Sequence, residues 1–168
     1  MRLAPGIPWD KIVGVGPSAT LAPGANVIDL GDATLLRGFV DAHVHITNER
    51  GMDSRQSILD AHARTPAETA RVATRHMRAT LYAGYGTDAR VCTHGTMMAA
   101  SGLSQINALK AATSSDAELL GIAEETGAME TGKLAGIVAV PGNPVQDIAR
   151  TRDVIFVMKS GKIARHTK

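Results

Sequence analysis

Gly38-Phe39-Val40-Asp41-Ala42-His43-Val44-His45 is the stretch on which the reading of this chain turns. It begins with apolar residues and ends on two histidines spaced by one. Residues two apart on a strand point the same way, so His43 and His45 present two imidazoles to one side while Val44 and Ile46 face the opposite layer. Two such nitrogens can share one metal ion. Imidazole suits Zn, Ni, Fe or Mn, and a catalytic site takes about three protein ligands with one position left for water. For an isolated His-x-His, two polar side chains on an exposed edge are the simpler explanation. Here the pair closes an apolar strand, which favours ligands.

Working outward, both ends of the chain read as β and the middle as helical. Ile12-Val13-Gly14-Val15, Val27-Ile28-Asp29-Leu30 and Phe39 to Ile46 are short apolar runs punctuated by Gly and Pro, the pattern of strands. A second β block comprises Ile137-Val138-Ala139-Val140, stopped by Pro141-Gly142-Asn143-Pro144, and Val154-Ile155-Phe156-Val157-Met158, turning at Ser160-Gly161 into Lys162-Ile163-Ala164. Between them a helix is expected from about Pro66 to Ala83. Thr65 is a good N-cap, Pro66 suits the first helical position, Glu68 completes a capping box, and Gly84 stands where a C-terminal cap belongs. Ala70, Ala73, Met77 and Leu81 form its apolar face, with Arg71, Arg75 and Arg78 on a solvated one. Ser104 starts a second helix through Ala108, Leu109, Ala111 and Ala112. Ser115 with Glu118 reads as another capping box, so two short helices are expected in succession. Met97-Met98-Ala99-Ala100 is a short apolar patch suited to packing.

Composition narrows the function classes. Eighteen basic and sixteen acidic residues leave a formal charge of +2 with no basic block, and aromatic residues make up 3% of the chain. Neither an electrostatic footprint nor a stacking platform for nucleic acid is present. Cys92 is the sole cysteine, so no internal disulfide forms and a reducing compartment fits. The N-terminus breaks into Pro5 and Gly6 without the apolar core of a signal peptide, and no run approaches the ~20 apolar residues of a membrane span. A soluble cytoplasmic protein without membrane or nucleic-acid partners is the expectation.

Gly38-Phe39-Val40-Asp41-Ala42-His43-Val44-His45 resembles the first barrel strand of the amidohydrolase superfamily, the (β/α)8-barrel metal hydrolases, which reads Pro-Gly-Phe/Leu-Val/Ile-Asp-x-His-x-His. Arg37 stands where the proline usually does. Gly127-Ala128-Met129-Glu130-Thr131-Gly132-Lys133-Leu134-Ala135-Gly136-Ile137-Val138 is similar to the family's Gly-x-Ile-Glu-x-Gly-Lys-x-Ala-Asp-hydrophobic signature, with Thr131 for the usual Pro and Gly136 for the Asp. Gly102-Leu103-Ser104 through Ala111-Ala112-Thr113 looks like the segment after the last barrel strand. The branch that it resembles is that of the imidazolonepropionases and prolidases.

The resemblance implies an α/β fold: a small β-sandwich of residues 1–36 and 124–168, assembled from both ends, beside a barrel segment at 37–123. It also implies a divalent metal, Zn foremost and Mn, Fe or Ni as alternatives, held by His43 and His45. Asp88, in Gly86-Thr87-Asp88-Ala89 with Thr93-His94-Gly95 after it, looks like the end of the eighth strand and would be a metal ligand and the proton acceptor. Leu81 to Thr87 equally resembles the entry to the second strand, where no catalytic aspartate is expected. His62 and His76 do not align with the family's central histidines, and a surface role is expected for both.

Only 42 residues separate His45 from Asp88, whereas a full barrel takes ~250 residues and one βαβ unit ~30. The barrel is therefore expected to be abridged, with its second to seventh strands largely absent. Three readings follow. The chain is a metal-dependent hydrolase of amide-type C–N bonds, acting on a dipeptide or other small amide; or an inactive remnant serving as an oligomerising or metal-binding module; or a plain α/β domain with incidental histidines. Homo-oligomers are expected, because an open half-barrel exposes sheet edges that need cover.

Overall fold

The computed structural model describes residues 10–20, 22–41, 54–84 and 102–167. Its centre is a four-stranded sheet in the order β1 (Thr34–Arg37), β2 (Ile137–Val140), β3 (Phe156–Lys159) and β4 (Lys162–His166). All neighbours are antiparallel. The strand from the early part of the chain and the three from the late part pair directly, Arg37 opposite Ile137 and Thr34 opposite Val140. The late strands fall on the apolar runs at 137–140 and 154–158, whereas the early strand, Thr34–Arg37, falls between the early runs expected to be strands. The β3–β4 turn is Ser160-Gly161, with φ of 46° and 73°, and positive φ at both central residues matches the twist of a two-residue hairpin. A bulge follows, since Val157 faces Arg165 while Met158 faces Ile163.

Ile137 to Val140 is an unbroken apolar run because both faces of the sheet are covered, and all four residues are buried. On one face Val138, Val140 and Val157 pack with Phe39, Ala112 and Val154, flanked by Leu81 and Ala83. On the other, Ile137, Ala139, Phe156 and Met158 pack with Ile12 and Ala135, bordered by Ile28, Leu30 and Leu35.

Residues 12–15 and 27–30 do not form the ladders expected of them. In their place stands a single bridge, Lys11 to Leu134, reinforced by Ile12 N–H to the Lys133 carbonyl (2.8 Å) and Gly132 N–H to the Ile12 carbonyl (2.8 Å). The glycines that punctuate this stretch, among them Gly16, Gly24 and Gly31, turn at positive φ and cut it into pieces too short to pair. Of its apolar side chains Ile12 is buried and Ile28 and Leu30 are half-buried against the sheet, whereas Val15 and Val27 are exposed.

Helix α1 (Ser54–Ala63) was not anticipated; α2 (Pro66–Tyr82) was. The α2 capping box is formed: Glu68 N–H donates to Thr65 Oγ1 (3.3 Å) and Thr65 N–H to Glu68 Oε2 (2.8 Å). Its buried face is rotated from the expected one. Val72 and Thr80 are buried and His76 half-buried, whereas Ala70 is exposed and Met77 is 53% exposed. Leu81 and Ala83, at the C-terminal end of α2, meet the sheet, and apolar spacing alone did not fix which neighbouring stripe would turn inward.

The two short helices expected after Ser104 are one unbroken run: α3 (Gln105–Lys110), a π-helical turn (Ala111–Ser115) and α4 (Asp116–Leu119). Ser104 caps it, accepting from Asn107 N–H. Ser115 does not cap α4. Its backbone is already helical (φ −68°, ψ −39°) and its side chain makes no capping bond, and an N-cap requires non-helical backbone.

Candidate metal centre

Of the motif expected to carry metal ligands, the described part is Gly38 to Asp41. Three separate parts of the molecule grip it through successive amides. Gly38 N–H donates to the Gly136 carbonyl, Phe39 N–H to the Gly84 carbonyl and Val40 N–H to the Ala112 carbonyl, each at 2.9 Å. The strand thereby leaves the sheet at Gly136, passes the C-terminus of α2 and meets the π-helical turn. A π turn breaks the regular helical ladder, and there Ala112 accepts the Val40 amide from outside the helix. Phe39, 1% exposed, is driven into the core against Val138 and Val140, and Asp41 is half-buried.

Two glycines set how closely these parts approach. Gly84 follows α2 with φ 96°, and a Cβ there would lie 2.6 Å from Val138 Cγ2. Gly127, the first residue of the second signature, has φ 90°, and a Cβ would lie 2.7 Å from that of Ala117 on α4. Neither close approach admits a side chain without displacement.

Two of the three departures from the family pattern, Arg37 and Gly136, are neighbours in space. Arg37 is 5% exposed, and its guanidinium lies over Gly136, where a Cβ would be 3.5 Å from Nη2. Arg37 Nε donates to Thr126 Oγ1 at 3.0 Å, Nη2 donates to the same oxygen, and Nη1 donates to the Leu134 carbonyl. Burial lowers its pKa to about 10. A Cβ at 136 would sit in ordinary van der Waals contact with this guanidinium.

His43, His45 and Asp88, the expected ligands and proton acceptor, lie outside the described residues, as does Cys92. Among the described residues no group of three His, Cys, Asp or Glu side chains could hold a metal. His62 is exposed on α1, and its Nδ1 is 2.8 Å from the Ile58 carbonyl. His76 sits half-buried on α2. The π turn and the Arg37–Gly136 contact were missed by sequence reasoning. The signal for the second was present, since departures in both motifs invite the question whether they touch.

The model of the amidohydrolase family matches residues 81–164, half of the chain. The chain belongs to the amidohydrolase family. The match covers the end of α2, the α3–α4 run and nearly all of β2 to β4. Among solved structures, this amidohydrolase is similar to a Xaa-Pro dipeptidase with methionine bound in its active site (33% identity, 58% of this chain, 27% of that one, TM-score 0.41). It is also similar to a prolidase complexed with N-methylphosphonate-L-proline (26%, 62%, 30%, TM-score 0.43) and to A. niger ochratoxinase (25%, 65%, 30%, TM-score 0.39). The chain spans less than a third of the length of each. No curated protein matches it. Among the described residues no helix is long and apolar enough to cross a membrane.

Proposed function

We propose that this chain is a metal-dependent hydrolase of small amide-type C–N bonds, dipeptides or cyclic amides included. What carries the proposal is the anchoring of Gly38 to Val40 by the sheet, α2 and the π turn, because those residues lead directly into His43 and His45. In this proposal residues 37–123 form a shortened barrel segment, and residues 1–36 with 124–168 a sandwich beside it. Two imidazoles and a carboxylate, from His43, His45 and Asp88, are a donor set suited to Zn, with Mn, Fe or Ni as alternatives. Such an ion supplies Lewis acidity that polarises a carbonyl and lets water act as a nucleophile near neutral pH. Asp88 accepts the proton of the attacking water and hands it to the leaving nitrogen. The site is reached from a reducing, cytoplasmic setting, and the chain self-associates.

A second reading rests on the 42 residues between His45 and Asp88, too few for the intervening barrel units. On that reading the chain is an inactive remnant that oligomerises or binds metal. Turnover separates the two. Zinc- or manganese-loaded protein is assayed on a dipeptide and cyclic-amide panel, alongside Asp88→Asn. Hydrolysis lost in the variant with metal content retained supports the enzyme; a metal-loaded but inert oligomer supports the remnant.

A further inference from the structure

Arg37 is a buried cation whose three hydrogen bonds all go to neutral oxygens, on Thr126 and Leu134. No ion pair to it forms among the described residues, although burying a charge is costly unless a counter-charge compensates it. A guanidinium carries five N–H donors in a planar fork, so Nη1 and Nη2 each retain one beyond these contacts. Arg37 also lines a cavity of about 280 Å³, whose walls are largely apolar: Phe39, Val40, Ile122 and Leu134. Lys159, exposed, adds a second cation, and among the described residues that line it Glu125 is the one carboxylate, also exposed.

A cavity with largely apolar walls, lined by an arginine that forms no ion pair among the described residues, matches one ligand chemistry. The fork pairs with a planar carboxylate through parallel N–H···O bonds, and the remaining walls would take up an aliphatic body by excluding water from it. A neutral molecule of the same shape would leave the charge unanswered. We propose that this cavity binds a small monocarboxylate with an apolar tail, its carboxylate on Arg37 and its tail toward Phe39 and Ile122. The site uses none of His43, His45 or Asp88, so it stands independently of the hydrolase reading.

The test is a ligand-observed NMR titration of the full chain with hexanoate and, as neutral isostere, hexanamide. It is repeated in the His43→Ala, His45→Ala variant so that a carboxylate held by a metal is not counted. Saturable hexanoate binding in both proteins is expected, with hexanamide weaker by about tenfold or more. Gly136→Asp supplies a carboxylate beside the guanidinium at a position with room for a Cβ. It is expected to weaken hexanoate about tenfold while raising Tm, and Lys159→Gln to weaken it by a smaller factor of about two to three. Arg37→Met should abolish the preference for the charged ligand. Should that variant fail to fold, Gly136→Asp decides alone. Equal binding of hexanoate and hexanamide, no hexanoate binding, or full binding in Gly136→Asp would each overturn the proposal.

Discussion

The two faces of the central sheet bury similar apolar side chains by different means. The face built on Val138, Val140 and Val157 is closed by Phe39, the C-terminal end of α2 and the π turn, with the approach to His43 hydrogen-bonded into the join. The opposite face, built on Ile137, Ala139, Phe156 and Met158, is closed by irregular chain between residues 12 and 33 that forms no ladder with it. The difference teaches that apolar patterning specifies burial more firmly than it specifies pairing. The approach to the proposed ligands, Gly38 to Val40, joins the first face.

The sharpest way to break this comparison is to truncate one large residue on each face and measure stability by chemical denaturation. Phe39→Ala removes a fully buried ring at the junction and should cost about 3–5 kcal/mol. Ile28→Ala, half-buried on the other face, should cost about 1–2 kcal/mol. Equal losses would mean that the N-terminal cover is as firmly packed as the helical one. Gly84→Ala comes next. It places a Cβ 2.6 Å from Val138 at φ 96°, and should cost about 2–3 kcal/mol through strain and overpacking. A neutral result would show that α2 can retreat from the sheet.

A smaller effect separates two segments that look alike in sequence. Thr65-Pro66-Ala67-Glu68 and Ser115-Asp116-Ala117-Glu118 share the capping-box form, yet one caps a helix and the other lies inside one. Thr65→Ala should cost about 1 kcal/mol and Ser115→Ala less than about 0.5 kcal/mol. The first difference should also depend on pH. The Thr65 amide, then its hydroxyl, hold the Glu68 carboxyl below its ordinary value. A folded pKa below the unfolded one contributes stability above the unfolded pKa, which is lost as pH falls through the folded one. The Thr65→Ala deficit should therefore narrow as pH drops below about 4.3.

The two capping boxes illustrate what the sequence could and could not tell. Thr65, Pro66 and Gly84 delimit α2 through local hydrogen bonding and backbone preference, and local rules are enough. The α3–α4 run is different: its continuation through Ser115 is met by contacts from far along the chain, where Val40 binds the Ala112 carbonyl and Gly127 packs on Ala117. The strands of residues 137–140 and 156–158 were legible from their apolar runs, and the Ser160-Gly161 turn from its residue types. The lack of pairing at 12–15 and 27–30 was not, because partial burial without a ladder leaves the same apolar pattern. Of the site, the approach through Phe39 and Val40 was legible as a buried strand entry, while the α2 face presented inward depended on where the helix end meets the sheet. His43, His45 and Asp88 rest on motif position, outside the described residues.

The central claim is that the anchored approach at Gly38 to Val40 delivers His43 and His45 to a metal. Elemental analysis of the purified chain, as isolated and after reconstitution with zinc or manganese, tests it directly against the His43→Ala, His45→Ala variant. About one ion per chain, lost in the variant, is the expected result. Absence of metal after reconstitution, or metal retained undiminished in the variant, would contradict the claim.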